Sequence, residues 1–562
     1  MINMKRSLFF LFALLFSYNV LAHDFVVDGI CYNIISEEYK LCEVTFFKKE
    51  SGAVKSNFYK DIVFVPETVE FDGKSYYVSA IGALAFYMQD ELLSVVMPST
   101  IKTIKNSAFT SCRNIRSIVI PASVTEIESH AFQGLESLTY LAVDECNEVY
   151  DSRRGCNAII ETGSNTLLFG CKTTVIPDGV EVIARDAFSI ILPKGNETFS
   201  LDIPGSVKVI NENAFSNCDW LSAVTLNEGL EEIGHWAFNG TSIESIVIPK
   251  TVKKIEPSAF CNTKLLKSIK VKRGNKVYDS RKGCNAIVES ATDCLLQACS
   301  TTTIPDGIKS VGEKAFFRIN VKSVTLPASV QEIRKSAFFG SGLQGKLVIP
   351  GNVKNIGQYA FTACYGIDEL VVEEGCETIG SSAFSLCTSL RRAVLPSSLK
   401  RLGVGSAYVL VFEGCDLLEK IEIPEQNPNY ISNGNSIIER STMTVVAGTG
   451  LGHCQLQIGR KEHRPRKIAK GAFWGMSYMT AVWLPETLEE IEESAFYDCP
   501  AIEFIVCGSK VPPLLGKNFG VVNGGPWHLP IQQRVVLVVP KGSLDAYRSA
   551  PGWSEFKHMV EN

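Results

Sequence analysis

The chain has few of the residues on which catalysis and metal binding depend. Only 7 of its 562 residues are histidines, and they are scattered. His453 and Cys454 with His463 come nearest to a metal cluster, but they lack the paired short spacings of a zinc site. The glycine-rich segment 448–452 lacks the downstream lysine of a phosphate-binding loop, and no serine lies in a nucleophile elbow. We therefore predict no enzymatic activity, no cofactor and no metal site.

An excess of charge of either sign is also missing. Lysine and arginine total 55 against 60 for aspartate and glutamate, which gives a net charge of -5 at pH 7. A nucleic-acid-binding protein normally carries a basic face, so the composition argues against a nucleic-acid partner. Apolar residues make up 46% and charged residues 20% of the chain, as in a well-packed folded protein.

Long hydrophobic runs are absent except at the start of the chain. Lys5 and Arg6 precede an apolar run over 8–16, and a segment of small or branched residues ends at Ala22. This order is typical of a secretory signal, whereas the alternative, a membrane anchor, normally needs a longer run. We predict a cleaved signal peptide over 1–22 and no membrane span. The mature chain would then be exported to the cell surface, the periplasm or the exterior.

The feature that the chain has in abundance is the dipeptide Ala-Phe. Most neighbouring copies are 22 or 23 residues apart. A fixed period in this range is typical of a solenoid, in which one supersecondary unit stacks on copies of itself. A stack offers a long surface rather than a deep pocket, so the period favours recognition over catalysis. The copies lie at Ala85-Phe86, Ala108-Phe109, Ala131-Phe132, Ala187-Phe188, Ala214-Phe215, Ala237-Phe238, Ala259-Phe260, Ala315-Phe316, Ala337-Phe338, Ala360-Phe361, Ala383-Phe384, Ala472-Phe473 and Ala495-Phe496.

The repeats share the pattern L-x-x-I-x-I-P-x-x-V-x-x-I-x-x-x-A-F-x-x-C, as in 115–132 and 243–260. The first half alternates apolar and polar residues and stops at a proline, which predicts a short strand. The second half is too short for a long helix, so we expect tight extended or 3₁₀-like turns there. One coil cannot bury its own apolar side, and successive coils must therefore share a continuous core.

This unit resembles the BspA-type leucine-rich repeat of bacterial surface proteins, over about 80–510. The Ala-Phe-x-x-Cys ending is the most particular point of resemblance. The resemblance implies a repeat solenoid of the α/β type that is mostly β, right-handed, with a parallel sheet on its concave side. It also implies a secreted or cell-surface binding protein that contacts other proteins, such as the host extracellular matrix, or other cells.

Both ends depart from the unit and are predicted as caps, because an open stack would expose its core and its strand edges. Residues 23–78 predict a β cap with a hairpin that turns near Glu37. Residues 511–562 predict a C-terminal cap with a strand, a short helix capped by Ser543 and an apolar lid of Trp553 and Phe556.

The repeat solenoid is predicted over 79–510 and contains three longer units. They are called the first insert (140–185), the second insert (267–312) and the third insert (427–472). The first two contain the near copies NEVYDSRRGCNAIIE and NKVYDSRKGCNAIVE, and the third is degenerate. Their doubled length predicts two coils, the first of which carries a small hairpin.

The 18 cysteines leave two interpretations open. Six of them follow a Phe by three residues, which indicates one slot filled by a small, apolar side chain. Others allow disulfides in an exported protein, since two would lie on facing strands of the first hairpin and the inserts keep or lose two cysteines together. Packed thiols are the alternative in each case. The candidate disulfides join Cys31 to Cys42, Cys156 to Cys171, and Cys284 to Cys299.

Residues between the last two apolar positions of each predicted strand point away from the core. They predict a smooth, β-branched and weakly charged face that suits an extended polypeptide or another protein. The alternative is that strands simply favour β-branched residues. An exposed tryptophan is a common interface anchor, so Trp483 is the strongest single candidate. The candidate ligand-binding residues are Val96, Val119, Thr225, Val247, Thr325, Val348, Val371, Val394 and Trp483.

A local cluster of basic residues lies in the third insert. It comprises Arg460, Lys461, Arg464, Arg466 and Lys467. Such a cluster predicts either a solvated loop or a site for sulfated or acidic glycans. A glycan-binding surface protein is therefore the alternative function, and the sequence leaves the ligand and the oligomeric state open.

Overall fold

The computed structural model describes residues 23–47, 58–189, 198–456, 463–520 and 530–562. The predicted signal peptide lies outside the described residues. The chain divides into unit 1, Met1–Thr241, and unit 2, Ser242–Asn562, and each is described by itself. Both units consist of short, mostly parallel strands stacked coil upon coil, with almost no helix. The predicted mostly-β repeat solenoid is confirmed.

A regular coil of unit 1 contributes one long strand and one two-residue strand. The first insert also holds a 3₁₀ turn, Arg153–Gly155. The strands are β1 (Phe25–Val27), β2 (Ile30–Ser36), β3 (Leu41–Thr45), β4 (Asp61–Phe64), β5 (Thr68–Phe71), β6 (Lys74–Ile81), β7 (Leu92–Val96), β8 (Thr103–Ile104), β9 (Ser117–Ile120), β10 (Glu126–Ile127), β11 (Tyr140–Val143), β12 (Tyr150–Asp151), β13 (Ala158–Glu161), β14 (Thr166–Gly170), β15 (Val182–Ile183), β16 (Phe199–Ile203), β17 (Val209–Ile210), β18 (Leu221–Leu226) and β19 (Glu232–Ile233).

Unit 1 has separate ladders of long and short strands. The long strands form the parallel sheet β11-β9-β7-β4 and the pair β16-β18. The antiparallel strands β1, β2 and β3 lead into the parallel run β6-β8-β10. In the first insert the antiparallel strands β12, β13 and β14 lead into β15, β17 and β19, which confirms the predicted hairpin. The long-strand ladder already begins at β4, inside the segment predicted as the N-terminal cap.

Unit 2 repeats this construction with the other two inserts. The second insert also holds a 3₁₀ turn, Arg281–Gly283, and the C-terminal cap has two more, Ile531–Gln533 and Trp553–Glu555. The elements are β20 (Ser245–Ile248), β21 (Lys254–Ile255), β22 (Ser268–Val271), β23 (Tyr278–Asp279), β24 (Ala286–Glu289), β25 (Cys294–Ala298), β26 (Ser310–Val311), β27 (Glu332–Ile333), β28 (Gln344–Ile349), β29 (Asn355–Ile356), β30 (Gly366–Val372), β31 (Thr378–Gly380), β32 (Arg392–Val394), β33 (Arg401–Val404), β34 (Lys420–Glu422), β35 (Tyr430–Ser432), β36 (Ser436–Glu439), β37 (Thr444–Gly448), β38 (Gly452–Gln455), β39 (Lys467–Ile468), β40 (Met479–Leu484), β41 (Glu490–Ile491), β42 (Phe504–Cys507), β43 (Leu514–Leu515), β44 (Val536–Val539), α1 (Leu544–Ser549) and β45 (His558–Glu561).

The long strands of unit 2 form the sheets β20-β22, β28-β30-β32-β34 and β38-β40-β42-β44-β45. Its short strands follow the hairpins of the second and third inserts, in the orders β23-β24-β25-β26-β27-β29-β31-β33 and β35-β36-β37-β39-β41-β43. At each insert of unit 2 one sheet of short strands ends and the hairpin of the insert begins another, and the long strands before and after the hairpin likewise belong to separate sheets. The parallel sheet also continues into β44 and β45, within the predicted C-terminal cap.

The Ala-Phe turns hold successive coils together. The amide of Phe338 donates to the carbonyl of Ala360 (2.7 Å), and that of Phe361 donates to Ala383 (2.7 Å). The rings stack at the same step, with centroids 4.9 Å apart for Phe338 and Phe361 and 5.3 Å for Phe361 and Phe384. The alanine of each pair is buried at this contact, and Val411 takes the same position before Phe412.

Each Ala-Phe turn also uses left-handed backbone. The residue before the Ala has a φ between about +50° and +70° in every copy, including bulky residues such as Leu84, Trp236 and Tyr359. This conformation is unfavourable for residues with a side chain, and only a fixed environment maintains it. The stacking of coils thus stabilises the local strain of every turn.

In six coils the cysteine that follows the Phe by three residues has a hydrogen-bonding role as well as a small volume. Its thiol donates to the Phe carbonyl of the preceding coil, as from Cys364 to Phe338 (3.1 Å) and from Cys499 to Phe473 (3.0 Å). Burial raises the pKa of the Cys499 thiol to about 12, so it stays protonated as the donor. The predicted buried thiols in this slot are confirmed.

None of the proposed disulfides is present in the structure, where all eighteen cysteines are free thiols. Cys31 lies opposite Thr45 and Cys42 opposite Ile34 in the β2–β3 register, so the expectation that the two cysteines face each other was wrong. An offset of three positions puts them on opposite faces of the hairpin.

The cysteines of the inserts contact different backbone carbonyls. The Cys156 sulfur lies 3.8 Å from the Ala158 oxygen, and the Cys171 sulfur lies 3.6 Å from the Asn157 oxygen. In the second insert, Cys284 and Cys299 likewise contact the carbonyls of Ala286 and Asn285. Each thiol therefore has its own partner rather than the other thiol.

The C-terminal cap contains the predicted strand, helix and buried aromatic lid. Trp553 and Phe556 are buried, and the Trp553 indole donates to the Pro513 carbonyl (2.6 Å). Ser543 precedes α1, but its hydroxyl bonds the Pro540 carbonyl instead of a helix amide, so the predicted side-chain cap is wrong.

We predict that Phe361→Ala lowers the free energy of unfolding by about 3–5 kcal/mol, because it removes a fully buried ring between two stacked rings. Urea denaturation followed by circular dichroism measures the change. Phe504→Ala is the control, since that ring is exposed and should cost less than about 1 kcal/mol. Equal losses for the two variants would contradict the stacking account.

We further predict that iodoacetamide modifies mainly Cys146 in the native protein, because it is the exposed cysteine. After unfolding without a reductant, all eighteen cysteines should react. Mass spectrometry of peptides measures both labelling patterns. A peptide joining Cys156 to Cys171 in the unreduced digest would show that the thiol account is incorrect.

Candidate functional site

The candidate site is the strand face, defined as the outward-pointing side chains of the long strands. In unit 1 the register places Phe64 beside Val96. On the next pair of strands, Val119 lies beside Ala142. A second row of side chains on the same sheet has Ser94 beside Ser117 in its middle. Ile62 lies next to Ser94 at one end of this row, and Tyr140 lies next to Ser117 at the other.

This part of the strand face is apolar and open to solvent. The exposed fraction is 67% for Phe64, 50% for Ile62 and 53% for Tyr140. Val96 and Val119 are also exposed. Between the apolar groups, the hydroxyls of two serines bond each other, so they add little unsatisfied polarity.

In unit 2, the predicted run of valines is aligned. Val348 lies beside Val371 and Val371 beside Val394 on β28, β30 and β32. The row next to it is charged, which corrects the expectation of a weakly charged face. In that row Glu369 accepts from Lys346 (3.2 Å) and from Arg392 (2.8 Å).

Arg392 extends this charge ladder to the next strands. It also reaches Glu422 (2.8 Å), which in turn pairs with Lys420 (2.6 Å). The two cations lower the pKa of the Glu422 carboxyl to about 2, Arg392 having the larger effect. The ladder balances its own charges, so it fixes strand positions more than it attracts a distant charged ligand.

The C-terminal sheet presents a third part of the strand face. Trp483 lies between Gln455 and Val506 and is half-buried. Its ring stacks on that of His453 with centroids 5.1 Å apart. The exposed ring of Phe504 lies in the neighbouring row. Trp483 is thus a partly covered aromatic contact rather than a freely exposed anchor.

The structure places the remaining predicted face residues differently. Thr225 is exposed on β18 and Val247 is exposed on β20, as expected. Thr325 is exposed but lies in no strand, so the predicted strand there is wrong. The long strand before Thr325, β22, ends one sheet, and the long strand after it, β28, begins another.

The basic cluster of the third insert is not a free positive patch where it is described. Arg464 pairs with Glu486, Arg466 with Glu489 (2.6 Å), and Lys467 with Glu490 (2.6 Å). Each glutamate comes from the next coil. The charge on which the glycan interpretation depended is therefore balanced within the protein. Arg460 and Lys461 lie outside the described residues.

Sequence reasoning missed two parts of the site. It assigned Phe64 to the cap, although Val63, Val65 and Pro66 follow the repeat pattern and mark Phe64 as outward-pointing. It also missed the ion pairs, which recur at one repeat length, as for Lys346 with Glu369. Searching for opposite charges 22 or 23 residues apart would have found Lys346 with Glu369 and Glu369 with Arg392, but not Arg392 with Glu422, which are 30 residues apart.

The described residues were also searched for metal-ligand clusters and for membrane-spanning helices. No group of three or more metal-ligating side chains is found in the parts of the chain that the structure describes. Over the same residues, no helix has the length and hydrophobicity that crossing a membrane requires.

Stacked coils of this period, each with one long parallel strand and a buried apolar side, define a leucine-rich repeat protein. The profile of the BspA-type leucine-rich repeat region matches the sequence over 75–156, 194–285, 293–408 and 410–519. The chain belongs to this BspA-type family, whose members are typically secreted or held at the cell surface. No curated protein matches the sequence.

Three solved structures are similar to the chain. A leucine-rich cell-surface protein of Faecalibacterium prausnitzii is 22% identical over 72% of this chain and 96% of its own, with a TM-score of 0.44. A leucine-rich repeat protein of Bacteroides ovatus is 19% identical over 96% of this chain and 100% of its own, with a TM-score of 0.36. The pneumococcal vaccine antigen PcpA is 17% identical over 96% and 99%, with a TM-score of 0.37.

We predict that Glu422→Gln destabilises unit 2 by about 0.5 kcal/mol at neutral pH, because it removes an exposed partner of two cations. The pKa of this carboxyl is lowered from 4.5 to about 2 in the folded protein. The difference from wild type should therefore be complete above pH 4.5 and disappear as the pH falls toward 2. Urea denaturation at several pH values measures it, and a difference that persists at pH 2 would contradict this account.

Proposed function

We propose that this chain is a secreted or cell-surface binding protein that holds another protein on the strand face of unit 1. The observation that carries the proposal is the apolar surface formed by Phe64, Val96, Val119, Ile62 and Tyr140. We propose adhesion to extracellular-matrix proteins or to other cells as the biological role. The family supports a role in protein binding at the cell surface.

Strand propensity alone does not account for this surface. β-branched residues are common in strands, so valines by themselves are weak support. The exposed rings of Phe64 and Tyr140 are stronger support than the valines. A large aromatic side chain that stays in water forgoes the free energy of burying its apolar surface. Aromatic side chains within an apolar patch are typical of protein-binding surfaces.

We propose no catalytic role, since leucine-rich repeat proteins are a non-catalytic class. The proposed location outside the cytoplasm depends on the signal peptide over 1–22. It agrees with the family, whose members are typically exported.

We predict that Val119→Asp weakens binding to a matrix protein about tenfold or more, because a buried carboxylate in the interface would lose its water. The matched control is Val175→Asp, since Val175 is 71% exposed but lies outside the strands. Surface plasmon resonance with immobilised fibronectin, collagen, laminin and fibrinogen measures the affinities.

Two outcomes would count against the proposal. The first is that no matrix protein and no bacterial surface binds the wild-type chain more tightly than an unrelated repeat protein. The second is that the two aspartate variants bind equally well, in which case the partner does not use the strand face of unit 1.

A further inference from the structure

Unit 1 has a cavity beside the first strand of the long-strand ladder. Its volume is about 420 Å³. The turn between β1 and β2, with Asp28 and Gly29, lies on one side, and β4 with Ile62 and Phe64 lies on the other. The ring of Tyr32 also lines the cavity. The cavity is thus a groove between the N-terminal hairpin and an edge of the sheet.

The backbone of β4 is open on this side. β4 is the end strand of its sheet, and within the described residues it pairs only with β7. The amides of Asp61 and Val65 donate to the carbonyls of Glu91 and Val96 on the β7 side. Because backbone groups alternate along a strand, those of Ile62 and Phe64 face the cavity. An extended peptide that enters the groove can pair with them, as in other cases of strand addition.

A polar group behind the wall lacks a partner. Tyr32 is fully buried, and its hydroxyl forms no hydrogen bond within the described residues. The oxygen itself is inaccessible to solvent, so the ring of Tyr32 rather than its hydroxyl forms this part of the cavity wall. The neighbouring Tyr59 differs, because its hydroxyl donates to Thr45 and accepts from the Cys31 amide.

The charge at the mouth of the groove is negative. Asp28 is exposed and forms no ion pair among the described residues, and Asp61 is exposed next to the groove. The lysine of the lining, Lys60, is held by Glu91 at 2.7 Å. A cationic side chain entering the cavity would meet the Asp28 carboxylate and the aromatic walls, both of which favour a cation.

We propose that this groove binds an extended segment of another protein, which pairs with the edge of β4 and inserts a lysine or arginine between Asp28 and Tyr32. The site goes beyond the strand face, although the side chains of Ile62 and Phe64 belong to both. A partner bound in the groove would continue the sheet by one strand and bring its flanking residues next to Val96.

The probe for the test is a phage-displayed library of random short peptides, selected on the full-length chain. We expect enriched peptides to carry one lysine or arginine among alternating apolar residues. In fluorescence anisotropy with an enriched synthetic peptide, Asp28→Asn should weaken binding about tenfold. N-methylation of alternate peptide amides should abolish binding, since those amides pair with the strand edge.

The chain offers a matched control for Asp28→Asn. Asp72 and Gly73 form the turn between β5 and β6 with the same residue types and left-handed φ as Asp28 and Gly29. Asp72→Asn should therefore leave peptide binding unchanged. Both substitutions keep a residue that tolerates this backbone conformation, so folding is preserved.

The outcomes distinguish this site from the proposed adhesion. Enrichment of peptides without a basic residue, absence of any enrichment, or unchanged binding by Asp28→Asn would overturn the groove proposal. Val119→Asp should leave the peptide affinity unchanged, whereas it weakens binding of a matrix protein to the strand face. Either proposal can thus fail while the other holds.

Discussion

The structure depends on the contact between successive Ala-Phe turns. The Phe amide of one coil donates to the Ala carbonyl of the next, and the Phe rings stack about 5 Å apart. The alanine, or Val411 in one coil, is buried at this contact, and where a coil has the cysteine its thiol binds the Phe carbonyl that the preceding coil presents. Each turn is strained by itself, because its backbone includes left-handed residues. The coils therefore stabilise one another, as in other repeat proteins.

This spacing determines what the strand face can present. Coils that repeat at one distance place corresponding residues side by side, so a property shared by one repeat position becomes a row on the surface. In unit 1 the rows are apolar, whereas in unit 2 a row of valines runs beside a ladder of ion pairs. At the hairpin of each insert, the ladders of long strands and of short strands both end and new ones begin. The face is therefore a series of separate sheets, each with its own chemistry.

The same geometry balances the charge of the protein. A lysine or arginine and a glutamate one repeat apart lie within ion-pair distance, as for Arg466 and Glu489. Exposed ion pairs of this kind contribute little to stability individually. They do, however, cancel the local electrostatic potential that would attract a charged ligand. A cluster that is strongly basic along the sequence is thus paired with glutamates over its described part. The acidic mouth of the groove near Asp28 is an exception, since that carboxylate has no such partner among the described residues.

The sequence by itself determined the repeat, the strands that end at proline, the buried Phe and Cys positions and the hairpins in the inserts, because these depend on patterns within one coil. Tertiary structure alone decided which cations are neutralised, that Thr325 has no strand neighbour, and that Cys31 and Cys42 lie on opposite faces. It also decided that Phe64 and the free edge of β4 face an open groove. These features depend on residues from different coils or hairpins, and their distances arise only when the coils stack.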